Sequence, residues 1–181
     1  LLSAPISIRK EQLKVLVIES YPRWEYRYLR NALERDPGVD VTCLLFHPEL
    51  PEMGGGRTYI KTMPDERELN KFDVVFLGDV GIASGQLTVE QAQDLRQLVS
   101  AQAAGIVFIP GRKGAQESLT TGPLADLYPV VLDPAIPKGV GTSNQGYFAL
   151  TEHGQRSLLT RLGDSDLDNS DVWRGDRKSV V

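Results

Sequence analysis

Apolar residues fall along this chain in two patterns, short unbroken runs and stripes at helical spacing, and their order sets the fold class. Val15-Leu16-Val17-Ile18 contains no polar position, which suits a strand covered on both faces, as in parallel α/β sheets. The run leads through Glu19-Ser20-Tyr21 to Pro22, which fits the first turn of a helix because an N–H there has no intrahelical acceptor. A helical wheel places Trp24, Tyr28, Leu29, Ala32 and Leu33 on one arc and Arg23, Arg27, Arg30 and Glu34 on a narrow opposite stripe, so the first arc is expected to pack on the sheet. Asp36-Pro37-Gly38 ends the helix, since proline disfavours helix at the residue before it and glycine frees the chain to turn.

Val39 to Phe46 repeats the buried-run pattern, with Cys43 inside it, and His47-Pro48 closes it. Residues 47–64 read as a loop with prolines at 48, 51 and 64 and the run Gly54-Gly55-Gly56; connections of that length are often functional or mobile. Asp65 to Lys71 is expected to form a short helix and Phe72 to Val80 a third strand ending near Gly78-Asp79. Thr88 and Gln91 make a capping box ahead of a face of Ala92, Leu95, Leu98, Val99 and Ala103, with Gly105 as the stop. Ile106 to Pro110 reads as a fourth strand opening into the turn Gly111-Arg112-Lys113-Gly114, with a further helix from Gln116.

This β-α-β-β-α-β order implies right-handed crossovers and an α/β fold, a doubly wound, mostly parallel sheet with helices on both faces. Tyr128 to Leu132 and Tyr147 to Leu150 are further candidate strands, and Thr151 to Leu162 a last helix. Three segments follow: 1–13, with its short alternation Ile6-Ser7-Ile8-Arg9, as a linker or the remnant of a preceding module; 14–162 as the α/β domain; and 163–181 as an irregular, truncated tail.

Composition narrows the function classes. The 181 residues are the size of one domain, 41% hydrophobic and 24% charged, as in ordinary globular proteins. A net charge of -4 without a Lys/Arg-rich run argues against nucleic acid as a partner, because nothing is arranged to neutralise phosphates. The longest apolar runs are strand-sized, far below the roughly 20 residues that cross a bilayer, so the segment is expected not to span a membrane. A single cysteine cannot form an intramolecular disulfide. The opening Leu1-Leu2 carries no secretory signal pattern and has the look of an excised segment, which leaves the compartment open.

Most candidate motifs fail on their chemistry. Gly139-Val140-Gly141 lacks the third glycine and the preceding strand of a dinucleotide fingerprint. The triple glycine has neither the lysine nor the hydroxyl of a phosphate-binding loop, and Gly141 to Gly146 is one residue too long for a serine nucleophile elbow. Asp164, Asp166, Asp168 and Asp171 have the alternate spacing of a calcium loop, but Asn169 stands where its glycine belongs and Gly175 where its bidentate glutamate belongs, so a solvated acidic loop is expected. His47 and His153 show no metal-ligand spacing, and Cys43, inside an apolar strand, reads as a small core hydrophobe. No cofactor, metal ligand or catalytic residue is assigned.

Ligands of open α/β sheets bind beyond the carboxyl ends of the strands. The candidate ligand-binding residues are therefore Ser20 and Arg23 after the first strand, Asp79 after the third, Arg112 and Lys113 after the fourth, and Glu25, which the wheel puts in the middle of the apolar arc, pointing inward. Glu25 could equally be a first-turn acid holding free helix N–H groups, and the cations plain surface charges.

The segments PRWEYRYLRNALERD, FDVVFLGDV and YFALTEHGQ resemble class I glutamine amidotransferase-like domains of large bacterial membrane-anchored proteins, where they often accompany von Willebrand factor A modules. The likeness covers residues 14–162 and implies a flavodoxin-like sandwich and a position on the extracytoplasmic, periplasmic side of a membrane-anchored parent. Active members of the wider superfamily place a cysteine at a tight turn after a strand, completed by a histidine and a glutamate. The turn here, Gly111-Arg112-Lys113-Gly114, has no cysteine, serine or threonine, so the nucleophile for a glutamine amide is missing; His153, comparable with the family histidine, has nothing to deprotonate. The expectation is a non-catalytic binding or structural module whose partners are other modules of the parent and a small anionic ligand. Two alternatives stand beside it: a hydrolase or transferase using Asp79 or Glu25 as general acid or base with Arg112 and Lys113 as anion clamps, and a small-anion or nucleotide sensor at the same crevice.

Overall fold

A computed structural model describes residues 12–47, 58–133, 135, 146–147, 149–175 and 177–178. Contacts divide the chain into two units, Leu1–Lys138 and Gly139–Val181. The first holds one all-parallel sheet of β1 (Leu13–Glu19), β2 (Val39–Leu45), β3 (Tyr59–Ile60), β4 (Val74–Leu77) and β5 (Gly105–Phe108), in the order β3-β2-β1-β4-β5. With the two-residue β3 set aside, the longer strands stand second, first, third, fourth, which is how a flavodoxin-like sheet begins.

The central place of β1 explains its unbroken apolar run. Every residue from Val15 to Glu19 is buried, and alternate side chains serve opposite cores. Leu16 and Ile18 join Leu44, Val75 and Leu77 on one face, covered by Leu69 of α2 (Glu66–Leu69) and by Ala92, Leu95 and Leu98 of α3 (Val89–Gln102). Val15 and Val17 join Val41, Cys43 and Leu45 on the other, covered by Tyr26, Leu29 and Leu33 of α1 (Trp24–Arg35). Helices thus flank both faces, as the element order implies.

α1 has a different phase from the one its wheel suggests. Its sheet-facing stripe is Tyr26-Leu29-Leu33, while Trp24 and Tyr28 are each 69% exposed and Ala32 and Glu25 also face solvent. Burying Tyr26 is favoured because its hydroxyl finds a partner: it donates to the Tyr59 hydroxyl (2.8 Å), which also accepts from Arg30 (3.0 Å). Arg30 in turn forks onto Glu34, so part of the expected solvent stripe anchors β3. The helix begins after Arg23 rather than at Pro22, and Arg23 makes no side-chain cap.

The capping box at Thr88 and Gln91 forms as expected. The stop is Ala103, left-handed at φ 55°, and Gly105 already belongs to β5. After β5 the expected helix is a 3-10 turn, Ala115–Leu119, followed by another at Ala125–Leu127. Tyr128 to Leu132 is not a strand; Pro129 lacks a ladder N–H, and Val130 and Val131 lie exposed.

In the second unit the expected strand shrinks to β6 (Gly146–Tyr147), antiparallel to β7 (Arg177–Lys178). The expected helix from Thr151 to Leu162 is broken into α4 (Glu152–Arg156), capped by Thr151, and a 3-10 turn Leu158–Thr160, because Ser157 stops one and caps the other. The tail, expected to be irregular, contains α5 (Asp166–Gly175). Asn169 there is buried and accepts from Leu162 N (2.7 Å) and Gly163 N (3.3 Å), so three of the four spaced aspartates, Asp166, Asp168 and Asp171, lie on a helix rather than an acidic loop. Among the described residues no cluster of three or more His, Cys, Asp or Glu could hold a metal ion, and no helix is long and apolar enough to cross a membrane. The triple glycine, the glycines at 139 and 141 and the stretch Ile6–Arg9 lie outside the described residues.

Candidate functional site

The carboxyl ends of β1, β4 and β5 lie side by side, and two buried carboxylates tie the loops that leave them. Glu19, the last residue of β1, is 2% exposed. Its Oε1 accepts from the backbone N–H of Ser20 (2.8 Å) and Asp79 (3.0 Å), with the Ser20 hydroxyl at 3.4 Å, and its Oε2 accepts from Arg23 Nε (2.7 Å). The Arg23 side chain, 8% exposed, donates its other N–H groups to Pro110 O (3.0 Å) and Ile109 O (2.6 Å). One ion pair therefore joins the ends of three strands, with each charge hydrogen-bonded as a buried pair requires. Gly78 provides the room: a Cβ there would stand 2.1 Å from Glu19 Oε2.

Asp79 is fully buried. Its Oδ1 accepts from Ala115 N (2.9 Å) and its Oδ2 from Lys113 N (2.7 Å). These two amides flank Gly114, whose left-handed backbone (φ 66°) makes a concavity of N–H groups suited to an anion; here Asp79 fills it. Gly111 passes so close that a Cβ would stand 2.5 Å from Asp79 Oδ2. Gln116, also buried, donates to Leu77 O (2.8 Å) and Gly78 O (2.6 Å) and accepts from the Tyr128 hydroxyl (2.8 Å). Burial, aided by the charge of Asp79, pushes the Tyr128 hydroxyl pKa up. Among the described residues, every buried side-chain N and O has a hydrogen-bond partner.

At the rim the Lys113 ammonium lies 4.5 Å from the centre of the Tyr21 ring. Burial, aided by Asp79, Glu19 and Glu25 and opposed by Arg23, raises the Tyr21 hydroxyl pKa. Arg112 and Lys113 are exposed.

Of the residues picked from sequence, Ser20, Arg23 and Asp79 do come together, as parts of an internal framework. Arg112 and Lys113 stand at its edge. Glu25 is a correction: it faces solvent on α1, because the burial of Tyr26 turns its side of the helix outward. Glu19, Gln116 and Tyr128 were missed, although a carboxylate closing an apolar run, with a glycine ending the neighbouring strand, is a readable signal for a buried brace.

Cys43 lies in β2 with no exposed surface. Burial pushes its thiol up to about 11, against a lowering hydrogen bond from Tyr26. A thiol so held is protonated at neutral pH and out of reach of a substrate. A carboxylate such as Asp79, with both oxygens on backbone amides, is likewise committed to the fold.

No family model, curated protein or solved structure matches the chain.

Proposed function

We propose that this chain is a non-catalytic, glutamine amidotransferase-like α/β domain that acts as a binding or structural module of a larger bacterial envelope protein. The observation that carries the reading is the occupancy of the strand-end crevice by the domain's own groups. Glu19 is held by Arg23 and two amides, and Asp79 by the two amides of the turn where the superfamily keeps its nucleophile. That turn has no hydroxyl or thiol, and the one cysteine of the chain is in the core. This favours the binding or structural reading over the hydrolase or transferase alternative, since each oxygen of Asp79 already accepts a backbone N–H and Glu25 faces solvent.

Ammonia release from glutamine by the purified chain tests the reading. The expected rate equals the protein-free background; a rate above background that disappears in Cys43→Ala overturns it.

A further inference from the structure

α1 presents to solvent a stripe that its own packing does not use. Tyr26, Leu29 and Leu33 already seat the helix on the sheet. Trp24 and Tyr28 nevertheless stack on one another one turn apart, ring centroids 6.0 Å, and Arg27 lies 5.7 Å from the centre of the Trp24 ring. At 100° per residue Asn31 and Arg35 continue this stripe. On one flank Glu34 is engaged by Arg30 and Thr58, and on the other stands the exposed Glu25. Neither Arg27 nor Arg35 has a carboxylate partner among the described residues.

Resting on the binding-module reading above, we propose that this stripe is a docking face for an acidic amphipathic helix of another protein module. Apolar side chains of that helix would pack on Trp24 and Tyr28, and its carboxylates would meet Arg27 and Arg35. Tryptophan, tyrosine and arginine are the side chains in which binding energy concentrates, and stacked aromatics lose little rotamer freedom on binding. The spacing i, i+4, i+7, i+11 of Trp24, Tyr28, Asn31 and Arg35 is a ridge of the kind one helix offers another. Charge selects the sign of the partner, since Arg27 and Arg35 make no ion pair among the described residues and outnumber the one flanking carboxylate without a partner, Glu25, on a chain whose net charge is -4. An anionic bilayer fits less well, because two arginines fall short of the roughly four to eight basic residues that such surfaces recruit.

The test titrates the ¹⁵N-labelled full chain with a synthetic helical peptide of about 15 residues bearing leucines at i, i+3, i+4 and i+7 flanked by glutamates. A version with lysine for glutamate is the control, and phosphatidylglycerol/phosphatidylcholine vesicles are titrated separately. The expected result is a saturable amide response confined to α1, absent with the lysine peptide and weakened at least about tenfold by Trp24→Ala or by Arg27→Glu with Arg35→Glu. These side chains lie outside the core, so far-ultraviolet circular dichroism of the variants stays unchanged and separates lost docking from lost folding. No saturable response to the acidic peptide up to about 1 mM, an equal response to the lysine peptide, or a response to vesicles alone overturns the proposal. Such failure leaves the non-catalytic reading standing, because that reading falls only to turnover in the glutamine assay.

Discussion

Glu19 and Asp79 are shut away from water, and each is surrounded by the donors of the loops it holds. Asp79→Asn turns one oxygen into an amine that must face the Lys113 or the Ala115 N–H, and two donors with no acceptor between them cost about 1–3 kcal/mol, measurable by urea unfolding. Glu19→Gln leaves the Arg23 guanidinium without its countercharge in a nearly closed site, with an expected loss of about 3–5 kcal/mol. Gly78→Ala drives a methyl group into the same carboxylate and displaces it from Arg23. The two changes break one contact, so the double variant is expected to lose less than the sum of the singles; strict additivity would show that Gly78 and Glu19 act independently. Glu19 was missed, but that Ser20, Arg23 and Asp79 sit at strand ends was readable, because strand ends collect polar side chains. Their role was not, since a serine, an arginine and an aspartate at a strand end describe a ligand crevice and an internal brace equally well until the donor facing each oxygen is known.

Helix α1 shows where element-level reading succeeds and where it stops. Its start falls at Trp24, two residues past Pro22, whereas its end follows from Asp36-Pro37-Gly38, which acts locally. Its rotation does not, because Trp24, Tyr26 and Tyr28 offer two competing apolar arcs and the choice is made by Tyr59, on a strand of two residues far along the chain. The phase is testable: Tyr26→Ala is expected to cost about 3–5 kcal/mol, as truncation of a buried aromatic does, and Trp24→Ala to stay within about 0.5 kcal/mol. The reverse ranking in urea unfolding would restore the arc first read from the wheel. α3 gives a second case. Its capping box is a four-residue signal and was legible, whereas its stop falls on Ala103 in the left-handed region (φ 55°), where a Cβ is strained and glycine is not. Ala103→Gly is expected to raise stability by about 1 kcal/mol, seen as a higher urea midpoint with an unchanged slope.

At the scale of the whole molecule, the parallel sheet was legible because its inner strands are apolar on both faces, and such runs survive any error of one or two residues at their ends. Leu158 to Thr160 and Asp166 to Gly175 were misjudged because their turns are fixed by single side chains, Ser157 and Asn169, rather than by a periodic apolar face. The buried layer between α1 and the sheet also sets how the folded chain responds to pH. Burial raises the Cys43 thiol from 9.0 to about 11 and raises the Tyr26 hydroxyl above its ordinary 10.0. A raised folded pKa means that the native state keeps protons the unfolded chain gives up. This contribution is therefore intact below about pH 9 and declines through pH 9 to 11, with Tyr26 steepening the loss above about pH 10. Each such group gives a slope of at most about 1.4 kcal/mol per pH unit between its two pKa values, so the thiol alone accounts for about 2 kcal/mol by the upper end of its window. Urea midpoints measured across this range are expected to fall in the parent chain. They should fall less steeply in Cys43→Ala over the lower part of the window and in Tyr26→Phe over the upper part, whatever the baseline of each variant. A parent midpoint that stays level from neutral pH to about pH 10.5 would mean that neither group loses its proton more readily in the unfolded chain, and that water reaches the layer between α1 and β2.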